Sequence, residues 1–293
     1  MKKIMITGAS GLVGTAIVDE ILGQNDQADM VYAVTSNPGK MKRVGGNVAV
    51  ITPDQLENVL RSHTIDVLVQ LAFPRNVSEE KWAAGIKYSM DIIFLAKKYG
   101  VKRLINVSSQ SIYGLQRRTA AIENDGIVLN SPYTTGKYCT ELLAAGLFEQ
   151  GMFTNIRLST IIGPTTTERV PNKLLASIKR GNELTIKGGQ QRFSFLDVRD
   201  AADGLLRIIS GTSQPWKPAY NLGTREVHSL LSIAEKCNQA AFAYGYPKVH
   251  INLIPDGTFL SNELDVSLIE KDFGWRAHYR LNESLAYILD HNG

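Results

Sequence analysis

Tyr133 and Lys137 stand four residues apart in the run Ser131-Pro132-Tyr133-Thr134-Thr135-Gly136-Lys137. On a helix that spacing puts both side chains on one face. A tyrosine hydroxyl ordinarily titrates at about pH 10. An ammonium group beside it stabilises the phenolate and lowers that value, so the tyrosine can exchange a proton with a substrate hydroxyl near neutral pH. Ser131 suits a helix N-cap, with Pro132 at the first helical position. A third residue, Ser109, follows the apolar run Leu104–Val107 in the stretch Ser108-Ser109-Gln110-Ser111-Ile112-Tyr113-Gly114. Its hydroxyl could bond the same oxygen that Tyr133 titrates. Alone, a Tyr-x-x-x-Lys spacing is a common chance event and Ser109 an ordinary strand-end residue. The combination points to chemistry.

A second group handles phosphate. Residues 7–14 read Thr-Gly-Ala-Ser-Gly-Leu-Val-Gly, with Gly8, Gly11 and Gly14 spaced G-x-x-G-x-x-G after an apolar strand and at the start of a helix. Gly8 permits the tight turn, Gly11 lets a pyrophosphate approach the backbone, and Gly14 lets helix and strand pack closely. The free N–H groups and the dipole at a helix N-terminus favour an anion there. The expected contacts to a dinucleotide are Gly8, Ser10, Gly11, Leu12, Val13 and Gly14. NAD enzymes usually carry an acid at the end of the second strand for the ribose 2′-hydroxyl. Here that strand runs into Thr35-Ser36-Asn37, and no acid follows before Asp54. Ser36 and Asn37 could bond a 2′-phosphate and Lys40, Lys42 or Arg43 could neutralise it, which points to NADP.

The elements that must position these residues alternate. The pattern predicts strands at Lys3–Thr7, Met30–Thr35, Val67–Leu71, Arg103–Ser108 and Thr154–Ser159. It predicts helices at Leu12–Leu22, Gln55–Arg61, Trp82–Tyr99 and Pro132–Glu149. Strands separated by helices imply βαβ units and a doubly wound parallel sheet, a Rossmann arrangement of the α/β class. The dinucleotide-binding domain is expected over residues 1–163, with 190–210 and 220–225 crossing back to it. A mainly substrate-binding lobe is expected over 164–293. Val198–Ile209 reads as a loop and helix, with Asp200 as an N-cap.

The bulk properties narrow the class. The 293 residues carry a net charge of +4, with 44% hydrophobic and 20% charged residues. That bias is too weak to point to nucleic acid. The amino-terminal apolar run is a strand rather than a signal peptide, and no stretch approaches a membrane span. The two cysteines, Cys139 and Cys237, make no disulfide framework, and the five histidines show no metal-ligand spacing. A cytoplasmic protein with no metal is expected.

These residues carry a resemblance. The chain resembles the extended short-chain dehydrogenase/reductase superfamily and, within it, the NAD-dependent epimerase/dehydratase family. The likeness runs through the glycine turn, Leu71-Ala72, Ser108-Ser109, Tyr113-Gly114, Pro132-Tyr133, Lys137 and Gly163-Pro164. It continues through Gly188-Gly189, Arg192 to Val198, Asp200-Ala201-Ala202, Tyr220 to Gly223, and Phe273-Gly274-Trp275. The resemblance implies that Tyr133 is the acid/base, that Lys137 tunes it and holds the nicotinamide ribose, and that Ser109 bonds the substrate oxygen. It implies that Arg192 contacts the phosphates of a nucleotide substrate. It also implies a homodimer through a four-helix bundle of Trp82–Tyr99 and Pro132–Glu149; apolar or small residues on other sides of those helices, among them Ala83, Ile92, Ala144 and Leu147, suggest a wide apolar surface that would face the partner.

Three departures qualify the likeness. The acidic pair that follows the hydroxyl residue in 4,6-dehydratases is Gln110-Ser111 here, so dehydration is not expected. A second arginine of the phosphate clamp is replaced by Pro255. The acid near the end of the third strand is missing from Val48–Thr52. The expected activity is hydride transfer at a sugar carbon, by a nucleotide-sugar ketoreductase or epimerase. Pro255 keeps open a reductase of a non-nucleotide carbonyl. A non-catalytic dinucleotide-binding regulator is the reading from outside enzymology.

Overall fold

A computed structural model of the chain describes residues 2–23, 30–41, 45–74, 78–211 and 214–291. The elements of the first half are β1 (Lys3–Thr7), α1 (Leu12–Gly23), β2 (Met30–Val34), β3 (Val48–Ile51), α2 (Leu56–Ser62), β4 (Val67–Gln70), α3 (Glu79–Lys98), β5 (Arg103–Ser109), α4 (Pro132–Leu147) and β6 (Phe153–Leu158). The second half holds β7 (Thr160–Ile162), α5 (Val170–Lys179), β8 (Leu184–Lys187), β9 (Arg192–Phe193), β10 (Phe195–Asp197), α6 (Val198–Ser210), β11 (Ala219–Leu222), β12 (His228–Ser229), α7 (Leu230–Ala243), β13 (Ile251–Ile254), α8 (Ser267–Phe273) and α9 (Leu281–His291).

The main sheet has seven strands in the order β11-β6-β5-β4-β1-β2-β3, with β1 parallel to β2 and β4, β2 parallel to β3, and β4 parallel to β5. The fold is the expected α/β doubly wound sheet. Its strands read as apolar runs because both faces are covered; β4, Val-Leu-Val-Gln, is buried throughout. The chain winds outward from β1 to β3, then returns to place β4 on the other side of β1. The carboxyl ends of β1 and β4 therefore flank the switch point, where ligands bind in sheets of this kind.

Contacts divide the chain into two compact units. The first is Met1–Ile112, Val128–Arg157 and Ala202–Tyr220; the second is Tyr113–Ile127, Leu158–Ala201 and Asn221–Gly293. In the first, Met5, Leu68, Ile92, Ile93, Leu104 and Phe148 belong to one core. In the second, Leu175, Ile178, Ile233, Cys237, Leu285 and Ile288 do the same. Two recurring motifs meet inside the second unit: the Tyr113 hydroxyl donates to Asn221 Oδ1 at 2.8 Å.

Two expectations are corrected. Ile92 and Ala144 do not face outward: they are 1% and 0% exposed, and Leu147 is half-buried against the same core. The Ile92-Ile93-Phe94-Leu95 run is apolar on every side of the helix, so the pattern gives no direction. The sheet takes Ile92 and Ile93 and leaves Phe94 at the surface, with Leu142 its counterpart on α4. Likewise Asp200 is not the cap of α6. Asp197 takes that place, accepting from Arg199 N at 2.9 Å. Asp200 instead accepts the backbone N–H groups of His278 and Tyr279, each at 2.9 Å. Burial raises its carboxyl pKa, and those two donors oppose the rise.

Candidate active site

The glycine turn is built of close backbone approaches. Gly8 has φ of +68°, in the left-handed region that glycine tolerates. A Cβ on Gly8 would lie 3.0 Å from Ala72 N, and one on Gly14 would lie 2.4 Å from Gly8 O and 2.7 Å from Ala9 Cα. The first and third glycines are thus set by packing within the chain. Thr7, at the end of β1, ties the turn to β4. Its hydroxyl accepts from Leu71 N and Ala72 N, each at 3.2 Å, and donates to Gln70 Oε1. Leu71 and Ala72 therefore lie against the turn. Helix α1 begins at Leu12, with Val13 and Gly14 in its first turn, and that turn contains no acidic residue. The N–H groups and dipole at a helix N-terminus favour an anion.

Ser10 meets the end of the second strand. Its Oγ lies 2.6 Å from Thr35 Oγ1, which also accepts from Asn37 N at 3.0 Å. Thr35 is buried, while Ser36, Asn37 and Lys40 are exposed. Lys42 and Arg43 lie outside the described residues.

Helix α4 starts as its sequence dictates. Ser131 accepts from Thr134 N and Pro132 follows at the first position. Tyr133, Lys137, Glu141 and Ala144 then recur at helical spacing. Lys137, Glu141 and Ala144 are buried and Tyr133 partly so. Lys137 is 6% exposed, and its ammonium donates to Val107 O at 2.6 Å. That carbonyl belongs to β5, two residues before Ser109. Farther along, Glu141 pairs with Arg157 of β6 at 2.9 Å, both nearly inaccessible to solvent. Removing either partner would leave a buried charge, a strong constraint on how the helix lies on the sheet. Gly136 has the same consequence on the other side. A Cβ there would meet Ile86 Cδ1 at 2.5 Å and Phe73 Cζ at 3.1 Å.

Phe73 joins the two candidate catalytic residues. Its ring meets Tyr133 edge-on with centroids 5.6 Å apart, and Lys137 Nζ lies 4.1 Å from its centroid. The sequence reading stopped at Leu71-Ala72 and missed it; an aromatic directly after that pair was the available signal. Ser109 is 8% exposed, and its hydroxyl donates to Ser111 Oγ and accepts from Ser111 N, both at 3.2 Å. Beside it Ser108 and Gln110 are buried.

Arg192 belongs to the second unit. It opens β9, and its Nε and Nη2 donate to Glu263 Oε1 and Oε2 at 2.5 and 3.1 Å. Glu263 was not among the residues singled out from the sequence. Among the described residues no group of three or more His, Cys, Asp or Glu could hold a metal ion, and no helix is long and apolar enough to cross a membrane.

Comparison with known proteins gives the class. A sequence profile described as the NAD dependent epimerase/dehydratase family matches residues 4–223. The chain belongs to that family, within the extended short-chain dehydrogenase/reductases. It is 25% identical to UDP-glucuronic acid decarboxylase 3 of Arabidopsis thaliana, over 97% of this chain and 86% of that one. It is 24% identical to UDP-glucose 4-epimerase of Caenorhabditis elegans, over 97% and 95% of the two. The fold is similar to UDP-glucuronic acid 4-epimerase from Bacillus cereus, solved with UDP-glucuronic acid and NAD (TM-score 0.83, 19% identity, 99% and 98% of the chains covered). It is also similar to dTDP-glucose 4,6-dehydratase from Bacillus anthracis, solved with NAD (TM-score 0.81, 19% identity, 99% and 96% covered).

Proposed function

We propose that the chain is an NAD(P)-dependent oxidoreductase acting at a sugar carbon of a nucleotide sugar, as an epimerase or ketoreductase. The observation that carries this reading is the buried Lys137 ammonium, held to the β5 carbonyl of Val107 and sharing the Phe73 ring with Tyr133. In this reading Tyr133 passes a proton to or from the substrate oxygen, and Ser109 donates a hydrogen bond to that oxygen. Lys137 has three N–H donors, one of which Val107 accepts. A bound dinucleotide would supply hydride transfer at the sugar carbon. Gly8, Ser10, Gly11, Leu12, Val13 and Gly14 would hold its phosphates, and Leu71 and Ala72 would line its path toward Tyr133 and Lys137.

Finer parts of the proposal rest on single features. NADP is favoured by Ser36 and Asn37, exposed where NAD enzymes carry an acid, although the solved relatives named above hold NAD. Dehydration is excluded from the reading because Gln110 and Ser111, after Ser109, cannot act as acid or base near neutral pH. A homodimer through α3 and α4 is supported by Phe94 and Leu142, 49% and 55% exposed on those helices. A cytoplasmic location is supported by two free cysteines. The domain assignment keeps residues 1–163 as the dinucleotide-binding part, with 190–210 and 220–225 returning to it, and 164–293 mainly for substrate. A non-nucleotide carbonyl substrate is the second reading, favoured by Pro255.

The test is a turnover screen of UDP-, dTDP- and GDP-sugars with both cofactors. Epimerised or reduced sugar nucleotide is the expected product. Turnover of simple carbonyls alone would replace the first reading with the second. Loss of water at the sugar would overturn the exclusion of dehydration.

A further inference from the structure

Arg192 and Glu263 are far from equal partners. The Arg192 side chain is 51% exposed and the Glu263 side chain 13%. The carboxylate is the fixed member. Ser261 Oγ donates to its Oε1 at 3.0 Å and accepts from Glu263 N at 3.3 Å. The main-chain oxygen of Glu263 accepts from Ala121 N at 3.1 Å and from Arg117 Nη2 at 2.6 Å. The neighbouring backbone is held to β9: Arg192 N donates to Leu260 O at 2.8 Å and Asn262 N donates to Arg192 O at 3.3 Å. Glu263 is thus locked in place, and the longer, more exposed guanidinium reaches to it.

Two carboxylate oxygens on one guanidinium edge present the bidentate geometry that two phosphate oxygens also present. One edge serves one such partner at a time. We propose that Glu263 is an affinity-setting residue: a built-in competitor that occupies the Nε–Nη2 edge of Arg192 and must give way when the phosphates of a nucleotide substrate bind at that edge. This rests on the nucleotide-sugar reading above. The exchange lowers the affinity of every anion that uses that edge by the same factor, so only a ligand with binding energy from further contacts is retained. The pair is half-exposed, so its strength is that of a surface ion pair, and its removal is worth a change of about two- to fivefold in affinity.

The experiment is calorimetric titration of the full chain with UDP and, separately, with inorganic pyrophosphate. The proteins are the parent, Glu263→Gln, Glu263→Ala, Arg192→Ala and the double variant Glu263→Ala/Arg192→Ala. Both Glu263 variants are expected to bind the probes about two- to fivefold tighter, and the gain disappears in the double variant. Glu263→Gln keeps the shape and a hydrogen-bond acceptor, so it decides the matter if the alanine variant fails to fold. Equal or weaker binding by the Glu263 variants overturns the proposal. So does a gain that persists without Arg192, which would be a general charge effect, or no binding of either probe to any of the proteins. Turnover is read separately: tighter pyrophosphate binding without sugar-nucleotide turnover keeps this inference and removes the activity, and the converse result does the reverse.

Discussion

The glycine turn with its neighbours and the Arg192 region both supply candidate site residues, but they are built differently. In the first unit, backbone lies against backbone. Gly8 sits on Ala72, Gly14 on Gly8 and Ala9, and a buried lysine is bound to a strand carbonyl. At Gly8 and Gly14 there is no room for a side chain. In the second unit, a half-exposed arginine reaches a carboxylate 71 residues away in the chain. That contact is made by side chains, and the arginine is in partial contact with water. Rigid surroundings suit proton and hydride transfer, which need fixed geometry. If the Arg192–Glu263 pair exchanges as proposed, it tunes how tightly the substrate's charged arm is held.

The largest effect should come from the first region. Tyr133→Phe is expected to lower turnover by about 10²- to 10⁴-fold, the usual range for a lost acid/base group, while dinucleotide binding is largely kept. Equal turnover in variant and parent, where chemistry limits the rate, would remove Tyr133 from that role. Lys137→Ala should weaken both binding and rate; an unchanged dinucleotide dissociation constant would contradict the ribose-holding role.

Packing gives the next effect. Gly14→Ala should cost about 1–3 kcal/mol, because the new methyl meets fixed backbone, and should weaken dinucleotide binding. Gly146→Ala is the contrast: a Cβ there meets nothing within 4 Å, so the change should stabilise α4 by about 0.5–1 kcal/mol. Urea unfolding of the two variants measures both, and similar losses would break the argument that the turn is sterically closed.

Assembly comes third. If Phe94 and Leu142 face a second copy, the parent sediments as a dimer and Leu142→Asp as a single species near 32.3 kDa. A parent that is itself monomeric rules out the bundle. Ile92→Asp should instead unfold the protein, since it puts a charge into the core.

The smallest effect belongs to the second region. The hydrogen bond from Arg192, with further help from Ser261 and the charge of Arg117, holds the Glu263 carboxyl below the usual carboxylate range. A lowered folded-state pKa contributes stability that is fully present above the unfolded value, about 4.3, and is lost as pH falls through the folded one. Below about pH 5 the parent should therefore lose its advantage over Glu263→Gln, by a few tenths of a kcal/mol to about 1 for so exposed a pair. A pH-independent difference between the two proteins would show that the charge does not matter there.

The sequence by itself determined the parallel sheet, the glycine turn and the Tyr133–Lys137 face of α4. Their signals are local, since apolar runs, glycine spacing and helical spacing act over one or two turns of chain, although the sheet itself pairs remote strands. It did not determine which apolar residues of α3 face out, because Ile92 to Leu95 surround the helix and only the sheet chooses among them. Asp200 looked like a cap for the same reason: its partners, His278 and Tyr279, arrive from 78 and 79 residues away. Phe73 between Tyr133 and Lys137, and Glu263 on Arg192, were also decided by tertiary structure. Contacts between remote segments depend on the path of the folded chain, and no local spacing records that path.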